Sequence, residues 1–216
     1  MKATQLVESI RADLAPTRDR LVEHPYVGAV QEKRLQLDQL RPFAGEQFQI
    51  ISSDLRSVAQ LVGRFGGDFF LDVLSGERAA LAALPALATA FGMTGAEVLG
   101  YEPLPGCQAY AAFMAWLAAY ASDAEVSAAF VVNFRAWGEN CGRLSRALRA
   151  GYGLGGDSVS FLDLFAETAD DFEERALAVI DAGLLRGVPE VLIRRAPRFL
   201  QSYELLFWDT LYGALS

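Results

Sequence analysis

The chain has 216 residues, 52% of them hydrophobic, and a formal net charge of -8. This length fits a single domain, 1–216, and the apolar composition indicates helices buried on more than one side or a contact between subunits. The acidic balance excludes nucleic acid and anionic membrane surfaces as expected partners, because like charges repel.

Hydrophobic residues recur with helical periodicity along the whole sequence, whereas the alternating runs typical of β-strands are nearly absent. We therefore expect an all-α fold. In chain order, the periodicity predicts helices at about 3–23, 36–64, 67–91, 106–121, 123–150, 158–186 with a break, and 189–215.

Local signals mark several helix ends. Thr94 with Glu97 and Ser122 with Glu125 have the spacing of capping boxes, which begin helices. Prolines are expected to begin or kink segments because they lack an amide donor. The relevant prolines are Pro16, Pro25, Pro42, Pro105 and Pro197. The glycine-rich stretch 151–156 is expected to be a plain loop, because it lacks the strand and the Gly-Lys-Ser/Thr ending of a phosphate loop.

The sequence carries no signal for export or for a membrane. Its first 15 residues contain no apolar run of signal-peptide length. The most apolar stretches, 79–93 and 110–121, are shorter than the roughly 18 residues that span a bilayer. Cys107 and Cys141 lie far apart with no CxxC motif, so neither a disulfide framework nor a zinc site is expected. A reduced, cytoplasmic setting is predicted.

Three polar residues interrupt apolar helical stripes: Gln47, Asn133 and Glu204. Burying a polar group without a partner costs a few kcal/mol, so such a position usually has a reason. Three of them in three helices predict a shared pocket with aromatic walls and a few convergent polar groups. The alternative is that each is a core polar group bonded to a neighbour.

Metal chemistry is not expected. His24 is the only histidine, and no Glu-x-x-His pair exists for the di-iron site of helical bundles. We therefore predict no metal site and no cofactor.

Two stretches carry a resemblance to a known family. Residues 24–27 (His-Pro-Tyr-Val), followed by Phe43 and then Glu46-Gln47, resemble the TenA family, which comprises thiaminase II and its relatives. The strongest match is 203–208 (Tyr-Glu-Leu-Leu-Phe-Trp), which resembles the Glu-x-x-Phe-Trp signature near the family's C-terminus. The resemblance implies a haem-oxygenase-like multi-helix bundle, usually a homodimer or homotetramer, with a pocket closed by the last helix.

The resemblance also implies site residues. In active thiaminase II enzymes a cysteine attacks the pyrimidine ring, a glutamate handles protons, and an aspartate and several tyrosines hold the ring. The glutamate is retained as Glu204, the aspartate position holds Gln47, and the nucleophile position holds Asn133, which cannot make that covalent attack. The tyrosine positions hold Ile50, Gln108, Trp137 and Phe165.

The sequence therefore predicts a TenA-like protein that binds a small, heteroaromatic metabolite. Its polar contacts would be Gln47, Gln108, Asn133 and Glu204, and its walls Trp137 and Phe165. Whether it is an enzyme stays open: a hydrolase using Glu204 with water fits, but thiaminase II activity does not. The alternative is a non-catalytic interaction or regulatory protein in which these residues form a satisfied polar core.

Overall fold

The computed structural model describes residues 2–167 and 171–215, and the regular elements in these ranges are all helical. The helices are α1 (Ala3–Asp13), α2 (Ala15–Val22), α3 (Pro25–Gln31), α4 (Arg41–Phe65), α5 (Asp68–Ala90), α6 (Gly95–Leu99), α7 (Pro105–Tyr120), α8 (Asp123–Tyr152), α9 (Ser160–Ala166), α10 (Phe172–Leu185) and α11 (Glu190–Gly213). Short 3-10 turns occupy Leu37–Leu40 and Gly156–Val159. The all-α prediction is confirmed.

The predicted helix at 3–23 is two helices, α1 and α2, which meet at Leu14. Pro16 lies in the first turn of α2, where its missing amide hydrogen costs nothing. The sequence pattern did not predict α3, which is only two turns long. The break expected within 158–186 is present, since α9 ends at Ala166 and α10 begins at Phe172; residues 168–170 lie outside the described residues.

Both predicted capping boxes are formed. The Thr94 hydroxyl accepts the amide of Glu97, whose carboxylate accepts the amide of Thr94 at 2.8 Å. Ser122 and Glu125 make the same reciprocal pair at the start of α8. At the other end of α8, Gly153 adopts φ +70°, a left-handed conformation that glycine tolerates and that stops the helix.

The bundle is organised around the longest helices. Helix α4 packs against α5 and α7, while α11 packs against α7 and α8, and α10 covers α8. In the described part of the chain, no helix is long and apolar enough to cross a membrane. This packing turns the interrupted stripes of α4, α8 and α11 toward one interior region.

His24 ties the short helix α3 to α11. Its Nδ1 accepts the backbone amide of Tyr26 at 3.2 Å and so caps α3. The proton must then reside on Nε2, which donates to Asp209 Oδ1 at 3.1 Å. Burial lowers the pKa of His24 despite the nearby Asp209, so the ring is a neutral structural bridge.

Candidate functional site

A cavity, here called the inner cavity, lies among helices α4, α5, α7, α8, α9 and α11. Its volume is about 40 Å³, which is room for roughly three water molecules. Its polar wall residues are Gln47, Asp54, Glu77, Asn133 and Glu204. Aromatic and aliphatic walls are formed by Tyr110, Phe130, Phe134, Trp137, Phe165, Phe207, Ile50, Ile51 and Met114. Within the described ranges, no lysine or arginine lines this inner cavity.

The structure brings together most of the residues singled out from the sequence. Gln47, Ile50, Asn133, Trp137, Phe165 and Glu204 all line the inner cavity.

Gln108 is the exception, because it is exposed on α7 and is not part of the cavity wall. Positions two apart on a helix point about 200° away from each other, and Tyr110 is the residue that faces inward. The spacing of Tyr110, Met114 and Leu117 on one face of α7 would have identified it.

Glu204 is the carboxyl group that α11 contributes. It is 2% exposed, and its Oε1 accepts a hydrogen bond from Trp208 Nε1 at 3.1 Å. Burial raises the pKa of Glu204 to about 7, with hydrogen bonds from Trp208 and Asn133 opposing the rise. A carboxyl group with a pKa near neutrality is suited to proton transfer.

Asp54 on α4 and Glu77 on α5 are two further carboxyl groups of the cavity that the sequence pattern did not reveal. Both are buried. Burial, followed by the charge of Glu77, raises the pKa of Asp54 well above its usual range. Burial raises the pKa of Glu77 to about 8. At neutral pH this pair therefore holds at least one proton.

Four oxygen atoms of the cavity residues are buried and have no hydrogen-bond partner among the described residues. They are Asp54 Oδ1, Glu77 Oε2, Asn133 Oδ1 and Glu204 Oε2. Native structures rarely leave buried polar atoms unpaired, because each costs about 1–3 kcal/mol. These oxygens are four of the eleven buried side-chain atoms without a partner in the described residues, and here a ligand or ordered water has room to complete the hydrogen bonding.

An outer recess adjoins the inner cavity. It has a volume of about 190 Å³ and shares Glu77, Phe134, Trp137 and Phe165 with the inner cavity. These four side chains line both spaces, and we call them the partition.

The partition is held by aromatic packing and by one glycine. Trp137 stacks on Phe43 with ring centroids 6.4 Å apart and meets Phe165 edge-on at 5.8 Å. A Cβ on Gly138 would lie 2.6 Å from the backbone oxygen of Phe165. Only glycine lets α9 approach α8 this closely, and this approach sets the position of Phe165.

The two cysteines offer no activated thiol. Cys107 and Cys141 are both free and buried, and neither lines the inner cavity. Burial raises the pKa of both thiols, which keeps them protonated and unreactive at neutral pH. Among the described residues, no group of three or more His, Cys, Asp or Glu side chains is arranged to hold a metal ion.

The sequence model of the TENA/THI-4/PQQC family matches residues 11–214. No curated protein matches the chain.

Several solved structures share the fold. A TenA homologue from P. horikoshii OT3 superposes with a TM-score of 0.77 at 17% identity, covering 96% of this chain and 98% of that one. A TenA homologue from Pseudomonas syringae pv. tomato DC3000 gives 0.79 at 17% identity, covering 99% and 96%. A domain of unknown function with a haem oxygenase-like fold from Shewanella denitrificans OS217 gives 0.75 at 14% identity, covering 100% and 94%.

Proposed function

The chain belongs to the TENA/THI-4/PQQC family and has the haem-oxygenase-like fold, and on that premise we propose that it binds a small, heteroaromatic metabolite in the inner cavity. The observation that carries the proposal is the convergence of Gln47, Asn133 and Glu204, from three helices, on a cavity with aromatic walls. Flat aromatic walls with a few fixed polar groups suit a planar ring that carries polar substituents.

The unpaired oxygens favour this proposal over a purely structural role. A satisfied polar core would pair each buried polar atom with a neighbour. Instead, Asn133 Oδ1 and Glu204 Oε2 lack partners within the described residues, although both side chains are almost fully buried. A ring with N–H groups would satisfy both.

The size of the cavity sets a condition on binding. Ligand pockets typically enclose about 300–1,000 Å³, and the inner cavity is far smaller. A ring can enter only if the partition moves and part of the outer recess becomes part of the site. The side chain that we expect to move is Phe165, because it lies on the short helix α9 and lines the outer recess.

Glu204 is the group that we assign to proton transfer, if the bound metabolite reacts. With a pKa near 7 it can exchange a proton with a ring nitrogen or activate a water molecule. Hydrolysis by water is the reaction class that this arrangement fits, because the described cavity wall contains neither a cysteine nor a serine.

A thermal-shift screen tests the proposal. Heteroaromatic metabolites would be added to the purified protein, and a compound selective for the folded state raises its melting temperature by mass action. We expect at least one hit whose affinity falls about tenfold or more in Glu204→Gln. The matched control is Glu125→Gln, which lies outside the cavity in a capping box that glutamine also satisfies. Affinity unchanged in Glu204→Gln, or hits equally abundant among aliphatic compounds, would count against the proposal.

A further inference from the structure

The charge of the site restricts what it can bind. Asp54, Glu77 and Glu204 bring three buried carboxyl groups to one cavity, and the described residues supply no basic side chain to its wall. Carboxyl groups in such a setting are either protonated or paired with an external cation. A bound anion would find no basic side chain in the described cavity wall to balance its charge, and it would oppose ionisation of the three carboxyl groups.

The hydrogen-bonding pattern points the same way. The four unpaired atoms of the cavity are all oxygens, and one of them belongs to Asn133, a neutral side chain that is 1% exposed. An ionised carboxylate can only accept hydrogen bonds. A protonated carboxyl group also donates one hydrogen bond, whereas the Asn133 oxygen always accepts. A molecule with several N–H donors would pair with Asn133 and hold the carboxyl groups in their ionised, accepting form.

The outer recess continues this pattern toward the surface. Its wall contains the carboxylates of Asp72 and Glu167 in addition to Glu77, against one cation, Arg175. Arg175 forms ion pairs with Asp72 and Asp171, so its charge is already compensated. In a chain with a formal net charge of -8, such a path attracts cations and repels anions.

We propose that the ligand is an organic cation, a protonated amine or amidinium attached to a ring, and that the Asp54–Glu77 pair binds its charged N–H groups. The proposal rests on the proposed function and names the chemical class of its ligand. Glu77 lines both spaces, so the charged group would sit at the partition while the ring packs among the aromatic walls.

Binding of a cation has a consequence for protons. The pair holds at least one proton when empty, and a cation favours its ionised form, so binding should release up to about one proton and tighten as pH rises. The other titratable or charged groups that face the pair are Tyr110, Glu204, Asp72, Glu167 and Arg175. Burial raises the pKa of Tyr110, so this side chain stays neutral, and Arg175 stays charged. Glu204, whose pKa is about 7, could also release a proton on binding, so the proton count should be repeated in Glu204→Gln.

The test uses three probes of nearly equal shape on the full chain: benzamidine as the cation, benzamide as the neutral form and benzoate as the anion. Titration calorimetry at pH 7.5 should show benzamidinium binding at least about tenfold more tightly than benzamide, with benzoate weaker still. Repeating the titration in two buffers of different ionisation enthalpy should reveal the released proton.

Asp54→Asn and Glu77→Gln keep the side-chain shape and remove the charge. Each should abolish the preference for benzamidinium and reduce the proton release, whereas Glu125→Gln should retain both. Circular dichroism and melting curves would identify a variant that fails to fold. The binding of the three probes would then be compared in the other variant.

Equal binding of benzamide, a preference for benzoate, or no binding of benzamidinium would overturn the inference. If a neutral heteroaromatic metabolite from the screen still binds in a Glu204-dependent manner, the proposed function stands and only the charge class is wrong. If neither the probes nor any library compound binds, both fail.

Discussion

Glu204 couples the stability of the protein to pH. In the unfolded chain this carboxyl group loses its proton near pH 4.5, whereas in the folded protein it keeps the proton until about pH 7. Between these values the folded state binds more protons, so the free energy of unfolding falls as pH rises, by at most about 1.4 kcal/mol per pH unit.

The Glu204→Gln substitution should remove this contribution. The glutamine side chain has almost the same shape as glutamate and can still accept the hydrogen bond from Trp208, so the fold should be retained. We expect wild type to lose about 1–3 kcal/mol more stability than the variant between pH 5 and 8. Urea unfolding at several pH values measures this difference. Parallel pH profiles for the two proteins would show that Glu204 is ionised in the folded state at all these values.

Asn133 determines which family reaction we expect to be absent. The resemblance places the nucleophilic cysteine of thiaminase II at this position, and an amide cannot form the covalent intermediate. We predict that the purified protein releases no aminopyrimidine from thiamin. Chromatography of the reaction mixture checks this, with an active thiaminase II as the positive control, and enzyme-dependent release of aminopyrimidine would contradict it.

The polar residues of the cavity were only partly predictable from the sequence. Gln47, Asn133 and Glu204 stand out because each is alone among apolar neighbours at helical spacing. Asp54 and Glu77 lie on the same kind of stripe, but carboxylates are usually solvated, and a charge near the edge of a stripe reads as exposed. Their burial depends on how α4 and α5 pack, which no local pattern encodes.

At the scale of elements, helix positions followed from periodicity, capping boxes and prolines, all of which are local signals. Helix α3 was not predicted, because seven residues are too few to show a 3.6-residue repeat. Gln108 was expected in the cavity wall and does not lie there, for a different reason. Residues two apart on a helix point to nearly opposite sides, so an alignment error of two residues selects a residue on the wrong face. Tertiary packing of α7 put Tyr110 in the cavity instead.

The contact between α8 and α9 can be tested through Gly138. In Gly138→Ala the new methyl group would meet the backbone oxygen of Phe165 at 2.6 Å, so α9 must move. We expect a loss of about 1–3 kcal/mol in stability and weaker ligand binding, because the wall of the site shifts. Denaturant unfolding and calorimetry measure the two effects.

Gly63→Ala is the matched control. Gly63 lies inside α4, is exposed, and has no atom within 4 Å of the position of a new Cβ. There alanine should stabilise the protein by about 0.5–1 kcal/mol, because it lowers the entropy of the unfolded chain. If Gly138→Ala behaves like Gly63→Ala, the close approach of α9 does not position Phe165.

For the whole molecule, an exposed aromatic surface on α7 and α11 bears on the expected homodimer or homotetramer. Phe113 and Trp116 are stacked 5.8 Å apart, and Phe113 also meets Phe199 and Tyr203. Trp116 is 47% exposed. Contiguous exposed aromatic side chains are typical of interfaces, so we propose that this surface joins copies of the chain.

Trp116→Arg should therefore lower the molar mass measured by light scattering after size-exclusion chromatography. The control is Leu185→Arg, since Leu185 is 90% exposed and lies on α10, which contributes no residue to this aromatic surface. A mass unchanged by Trp116→Arg, or lowered equally by Leu185→Arg, would exclude this surface as the interface.

The most direct measurement of the central claim is a crystal structure of the protein with the tightest-binding compound from the screen. We predict electron density for the compound inside the inner cavity, with a donor within hydrogen-bond distance of Glu204 Oε2 or Asn133 Oδ1 and with Phe165 displaced toward the outer recess. A compound bound elsewhere, with the inner cavity closed and its oxygens paired with water, would contradict the account.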